Sequence, residues 1–197
     1  MAVLLERSEL EASSDQELVR LARHRDESAI RLLVRRNNQR LFRVARAVLH
    51  DDGEAEDVVQ ETYVRAFTRL DSFRGESSFA TWLTRIALNE ALGRARRRRP
   101  QAPLAVLESA GDAGGQVIMF PTSLTPPQAD AQLARAQVRA LLEQAVDELP
   151  EAFRIVFVLR EVEELSVEET ACHLSLKSET VRSRLHRARR LMRVALE

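Results

Sequence analysis

In segment after segment of this chain, apolar residues recur at three- and four-residue steps, the repeat of a helix with one buried face. Ser14-Asp15-Gln16-Glu17 reads as a capping box that opens a first helix with Leu18, Leu21 and Ala22 inward. Asp26 is placed to cap a second helix with Ala29, Ile30, Leu33 and Val34 inward, ending near Asn37-Asn38. Leu41, Val44, Ala45, Val48 and Leu49 carry the pattern on to His50, and Asp51-Asp52-Gly53 makes a turn that doubles as the next cap. The cleanest stripe runs from Glu54 to Leu70: Ala55, Val58, Val59, Thr62, Ala66, Phe67 and Leu70. Asp57, Gln60, Glu61 and Arg65 stand on its other faces, with Tyr63 and Val64 at the boundary as either core or contact surface. An acidic first turn also suits the helix dipole, so Asp57 and Glu61 have a purely structural reading beside any functional one.

The stretch from Asp71 to Arg99 breaks this rhythm and then resumes it. Phe73 and Phe79 flank Arg74-Gly75-Glu76-Ser77-Ser78, whose glycine and serines favour a loop. From Thr81 on, Trp82, Leu83, Ile86, Ala87, Leu88 and Ala91 form a helical core face, while Thr84, Arg85, Asn89 and Glu90 fall between them and are expected to be less buried. Arg94 and Arg96 to Arg99 then load the helix end with positive charge. Two readings stand side by side: a core helix with a solvated basic tail, or an aromatic loop that stacks bases beside a polar face and a guanidinium cluster, as a single-strand reader has.

Prolines and glycines crowd the segment from Pro100 to Pro127, which reads as a linker, although Val117-Ile118-Met119-Phe120 is apolar enough to dock on something. A second helical region starts near Gln128, with Leu133, Ala136, Ala140, Leu141, Ala145 and Leu149 inward and a stop at Pro150. Phe153, Val156, Phe157 and Leu159 carry the next helix. Ser166-Val167-Glu168-Glu169 is another capping box and opens a short helix through Leu174. Ser178-Glu179-Thr180 starts a last one with Val181, Leu185, Ala188 and Leu191/Met192 inward. Two helices joined by so short a turn read as a helix-turn-helix. Arg182, Ser183, His186, Arg187, Arg189, Arg190 and Arg193 point outward, a composition that suits a DNA groove and its phosphates better than a bundle's solvated face.

Composition narrows the class. At 197 residues with 5% aromatics, six glycines and six prolines, the chain fits one or two small all-helical domains better than a sandwich or barrel. Its net charge is zero, but acid gathers at 51–61 and 161–169 and base at 94–99 and 177–193, which suggests nucleic acid for the basic faces and a different partner for the acidic ones. A single cysteine, Cys172, excludes an internal disulfide and gives no basis for a cysteine-rich metal site. Beside His173 it hints at metal or redox sensing, although a lone thiol in a packed helix-turn-helix is expected simply to be small and buried. Glu6 and Arg7 interrupt the apolar N-terminus too early for a secretory signal, and the longest apolar run, Ile155 to Leu159, is far short of a membrane span. The expectation is a soluble cytoplasmic protein. With no glycine-rich phosphate loop, no metal-ligand cluster and no paired nucleophile and base, an enzyme is remote.

Three stretches together carry a family resemblance: DVVQETYVRAF at 57–67, FRGESSFATWLTRIALNEAL at 73–92, and LPEAFRIVFVLREVEELSVEETACHLSLKSETVRSRLHRARRLM at 149–192. They resemble bacterial RNA polymerase sigma factors, and more narrowly the extracytoplasmic-function (ECF) group of the sigma-70 family. The order and spacing agree over everything except the N-terminal dozen residues and the linker. The resemblance implies an all-α fold of two small helical domains, region 2 over residues 1–99 and region 4 over 128–197, joined by a flexible linker at 100–127. It implies a chain that binds core RNA polymerase, directs it to specific promoters and helps open them. Asp57, Gln60 and Glu61 are then the positions that dock on the clamp helices of the polymerase β′ subunit, with the β subunit as a further contact. Phe73, Arg74, Ser77, Ser78, Phe79, Trp82, Arg85, Asn89, Arg94 and Arg96 fall on the part that recognises and melts the −10 element. Trp82 matches a wedge position, although a helix-face tryptophan is more often core, and core is the preferred reading. Ser178, Thr180, Arg182, Ser183, Arg184, His186 and Arg187 fall on the reader of the −35 element. No catalytic residue, cofactor or metal is implied, and the partners are core polymerase, promoter DNA and an anti-sigma factor, with a monomer when free and no membrane insertion.

The departures are local. Leu176-Lys177-Ser178 lacks the Pro and Gly of many relatives, and Glu163-Glu164-Leu165 stands where a glycine-containing turn is more usual. His186 occupies a position at which relatives vary, so a promoter sequence does not transfer. The absence of a long C-terminal extension argues for regulation from outside. The competing reading is a helix-turn-helix regulator that binds an operator as a dimer without polymerase; under it the Phe73–Phe79 loop and the acidic helix have no task.

Overall fold

The computed structural model describes residues 10–98 and 131–196, with side chains placed at 10–98, 138 and 140–196. The linker with its Val117–Phe120 patch, Arg99 and the helix start near Gln128 lie outside the described residues, as do the side chains of Leu133 and Ala136. Among the described residues all regular structure is helical, and it falls into two compact units divided after Ala95.

The first unit holds α1 (Asp15–Arg23), α2 (Glu27–Leu49), α3 (Asp52–Thr68) and α4 (Phe79–Arg98), with a single 3₁₀ turn at Leu70–Ser72 before the loop to α4. Side-chain oxygens cap the first three: Ser14 Oγ accepts from the Glu17 amide at 3.3 Å, Asp26 Oδ1 from Ala29 at 2.8 Å, and Asp51 Oδ1 from Glu54 at 2.8 Å. α2 does not stop at Asn37-Asn38 but runs 23 residues. Asn37 is buried and its Nδ2 donates to the Leu33 carbonyl at 2.8 Å, so a side chain that usually competes with helical hydrogen bonds stays within the helix here. α2 ends at His50 in the left-handed conformation, and α3 starts at Asp52, two residues earlier than the stripe alone suggests. Ala55, Val58, Val59, Thr62 and Ala66 are its buried stripe, and α3 packs on α2 as α2 packs on α1. Tyr63 settles on the core side: it is half-buried, stacks on Phe67 and donates its hydroxyl to the Val34 carbonyl at 3.1 Å. Burial pushes its phenol above the usual tyrosine range. Val64, its neighbour, is exposed.

α4 is buried far more widely than its apolar spacing indicates. Phe79, Leu83, Thr84, Ala87, Leu88, Glu90, Ala91 and Leu92 are all buried, positions that sweep more than half of a helix's circumference. Thr84 and Glu90, expected to be less buried, are therefore inside. Periodicity finds the centre of an apolar stripe, but a helix covered on several sides also encloses polar neighbours: Glu90 is held there by Arg65 and Arg94, whereas the Thr84 hydroxyl is buried without a hydrogen-bond partner.

The second unit holds α5 (Ala131–Glu148), α6 (Glu151–Phe157) running into a π-helical turn at Val158–Val162, α7 (Val167–Leu174) and α8 (Ser178–Leu196). α8 packs on α5, α6 and α7. Ala145, Leu149, Ala188 and Met192 make a core cluster, with Val146, Phe153, Phe157, Leu191 and Ala195 against it. Buried Arg154 donates to the carbonyls of Asp147 (2.9 Å) and Leu149 (3.2 Å), satisfying acceptors that the end of α5 leaves open. Ala140 and Leu141, expected inward, are exposed together with Val138 and Leu142. The cluster reaches α5 only at its C-terminal end, where Ala145 and Leu149 meet Ala188 and Met192 of α8 and Phe153 and Phe157 of α6.

Candidate functional site

The helix-turn-helix forms where the sequence placed it. Ser166 Oγ accepts from the Glu169 amide at 3.0 Å, and Glu169 Oε2 accepts from the Ser166 amide at 2.8 Å, a complete capping box at the start of α7. α7 ends on Ser175 at φ 55°, with the Leu176 amide donating to Ala171 O at 2.9 Å, and α8 starts at Ser178. Val181, Leu185, Ala188 and Met192 face inward, while Arg182, Ser183, His186, Arg187, Arg189, Arg190 and Arg193 are exposed along the other side. Ser178 and Thr180 are half-buried at the helix start, and Ser183 Oγ donates to Thr180 O at 3.1 Å. Arg184 corrects the expected DNA-facing set: it is 8% exposed. It sits three residues after Val181 and four before Ala188, which places it on the inner face. Arg182 lies 3.9 Å from Glu168, and Arg189 2.8 Å from Glu161. Exposed pairs of this kind hold a guanidinium weakly. Cys172 is exposed, not buried as expected, and no group of three or more His, Cys, Asp or Glu is placed to hold a metal among the described residues.

The loop before α4 closes on its own aromatics. Phe73 and Phe79 are 6% and 2% exposed, packed edge to face at 5.5 Å, with Trp82 tilted over them at 5.3 and 5.7 Å. This corrects the expectation that both phenylalanines present rings to bases. Two phenyl groups separated by a short polar loop leave water by packing on each other, a favourable edge-to-face arrangement. Trp82 is half-buried and packs on both phenylalanines, in line with the core reading preferred for it. Between the phenylalanines, Arg74, Gly75, Glu76, Ser77 and Ser78 arch into solvent, and Gly75 takes φ 75°, a value that a side chain would strain. Ser78 Oγ accepts from the Thr81 amide at 3.0 Å and so caps α4, a role signalled by a serine just before the helical stripe. Trp82, Arg85 and Asn89 follow three- and four-residue steps and share one face of α4, on which Arg85 and Asn89 are exposed, as is Arg96 nearer the end.

Arg94 departs from the expected DNA set. Its Nε donates to Glu90 at 3.2 Å, and its Nη1 lies 3.6 Å from Asp57. It belongs to a chain of charges that links α3 and α4: Glu61 to Arg65 at 2.8 Å, Arg65 to Glu90 at 2.9 Å, then Arg94 and Asp57. At the centre the Glu90 side chain is 9% exposed, a buried carboxyl group that accepts from two guanidiniums. The hydrogen bond that Arg65 donates to Glu61 raises its pKa, with the charge of Glu90 adding to it. The three expected docking positions thus differ: Asp57 is 65% exposed, Gln60 is exposed, and Glu61 is half-buried against Arg65. Glu90 was missed because nothing in its local spacing names partners on α3.

Comparison with known proteins follows the same division. The sigma-70 region 2 family matches residues 33–101, and the sigma-70 region 4 family matches residues 139–192. The chain is similar to the RNA polymerase sigma-H factor of Pseudomonas aeruginosa, 36% identical over 194 residues that span 95% of this chain and 96% of that one. It is also similar to the ECF RNA polymerase sigma-E factor of Escherichia coli K12, 35% identical over 185 residues, 91% of this chain and 92% of the other. Two solved structures share the fold. One is the sigma factor RpoE of Bartonella quintana in complex with the anti-sigma factor NepR, with TM-score 0.58 and 25% identity over 84% of this chain and 95% of that one. The other is CnrH in complex with the cytosolic domain of CnrY, with TM-score 0.57 and 28% identity over 93% and 97%.

Proposed function

Because the chain belongs to the extracytoplasmic-function group of the sigma-70 family, we propose that it joins core RNA polymerase, directs it to a specific class of promoter and helps open the duplex there. The observation that carries this is the coexistence, in one chain, of an exposed arginine-rich face on α8, an exposed polar arch before α4 and an acidic face on α3. A helix-turn-helix regulator needs only the first.

Each surface has a task. Residues 1–99 act as region 2, 100–127 as the linker and 128–197 as region 4. Asp57, Gln60 and Glu61 dock on the β′ clamp helices, and region 4 engages the β subunit. Arg182, Ser183, His186 and Arg187 enter the groove of the −35 element, with Arg189, Arg190 and Arg193 toward phosphates. At the −10 element, opening needs an unstacked base to be captured against a cost of a few kcal/mol. The open side of Trp82 offers a stacking surface worth about 1–3 kcal/mol per base, and Arg85 and Asn89 share its face. Arg74, Ser77 and Ser78 contribute from the arch, Ser78 also as helix cap, while Phe73 and Phe79 act through the shape they give it. RNA synthesis remains the polymerase's. Both structural relatives were solved with anti-sigma partners, which supports control of this chain by such a protein. In this reading it acts beside the polymerase in the cytoplasm, as a monomer when free; no helix among the described residues is long and apolar enough to cross a membrane.

The test mixes the purified chain with bacterial core polymerase, scores co-elution, and then measures transcription from a promoter library. Co-elution with selective initiation is expected. Failure to bind core, with duplex DNA binding retained, would replace this reading with the dimeric regulator.

A further inference from the structure

The arch before α4 is anchored from the far end of α1. Arg23, its last residue, donates from Nη2 to the Phe73 carbonyl at 2.7 Å, fifty residues along the chain, and its Nε lies 3.9 Å from Asp71. The ordinary account of a basic residue there is complementarity to the helix dipole plus a surface ion pair. That account covers Asp71, whose side chain is 98% exposed. It leaves out the short charge-assisted hydrogen bond to a backbone carbonyl. That carbonyl belongs to the last residue before the solvent arch, the residue whose ring packs on both Phe79 and Trp82. The other foot is fixed by the Ser78 cap on Thr81. Both feet of Arg74 to Ser77 are thus hydrogen-bonded, and the Trp82 ring leans on the ring of a residue whose backbone is anchored.

We infer that Arg23 is a positioning residue for single-strand capture: by holding the Phe73 carbonyl it sets the base of the arch and the tilt of Trp82. This rests on the proposal that the arch and the Trp82 face read the −10 strand. Arg23 touches no base itself. Lysine reaches the carbonyl with one donor and lacks the fork that also spans toward Asp71, so it is expected to restore part of the effect.

The experiment assembles the full chain with core polymerase. It measures binding of fluorescent single-stranded oligonucleotides carrying the −10 sequence selected by the wild type or a scrambled version, with core affinity and binding to −35 duplex measured alongside. Arg23→Met is expected to lose about tenfold of the single-strand preference, the loss of one charge-assisted hydrogen bond, with core affinity and duplex binding unchanged. Arg23→Lys should fall between, and Asp71→Asn should match the wild type. A folded Arg23→Met with wild-type preference would overturn the assignment, and so would parallel losses in all three measurements, which mark a merely structural role. A wild type with no single-strand preference would overturn the underlying −10 reading as well, and the two failures are told apart by which protein shows them.

Discussion

Glu164 and Ser175 hold φ values of 56° and 55°, in the left-handed region where a Cβ crowds the following carbonyl. Glu164 lies within the turn before α7, and Ser175 directly precedes Leu176-Lys177-Ser178 between α7 and α8, so the backbone strain falls within or beside the sequence departures noted there. Glu164→Gly and Ser175→Gly each relieve about 1–2 kcal/mol of that strain, offset by about 0.5–1 kcal/mol for the freer unfolded chain of glycine. Thermal unfolding of each variant should show a net gain of about 0.5–1 kcal/mol. A lower melting temperature in either would mean that its side chain contributes something the turn needs. At this scale the sequence was legible where a residue's role depends on near neighbours. The caps at Ser14, Asp26, Asp51 and Ser166 and the outward arginines of α8 follow from spacing alone. Residues defined by distant partners were not legible: Glu90 needs Arg65, and Phe73 needs Arg23.

Among the elements, α8 carries the sharpest functional claim. Its inner face accounts for Arg184, which leaves Arg182, Ser183, His186 and Arg187 as base-facing candidates, His186 four residues after Arg182 and Arg187 four after Ser183. Arg187→Ala should lower discrimination at the upstream element by about 1–3 kcal/mol, the worth of a bidentate base contact, measured on a panel of single-substitution promoters. Equal weakening on every sequence would reassign Arg187 to a phosphate. The extents of α2 and α5 were harder to read than the composition of α8. An Asn-Asn pair resembles a stop unless its amide turns back into the helix, and an apolar stripe is buried only as far as neighbouring helices reach.

Across the whole molecule, zero net charge conceals the segregation of acid and base into separate stretches. The proposed docking acids are already tethered: Asp57 to Arg94 and Glu61 to Arg65, with Glu90 holding both arginines. Such tethering fixes the side chains before they meet a partner and lowers the ordering cost of association. Reversing Asp57 and Glu61 together to arginine should weaken binding to core polymerase in competition with another sigma factor, and the neutral pair Asp57→Asn and Glu61→Gln should weaken it less. Unchanged competition would remove these positions from the interface.

The position of Trp82 against Phe73 and Phe79 has a practical side. It is the chain's single tryptophan, set in the first unit where a promoter strand would be captured, and the chain's single cysteine, Cys172, is exposed on α7 of the second. The unaltered protein therefore carries an intrinsic emitter in one unit and one attachment point for an acceptor dye in the other. Energy transfer between them reads the separation of the two units directly, in the free chain, on polymerase and on promoter DNA, with no substitution introduced.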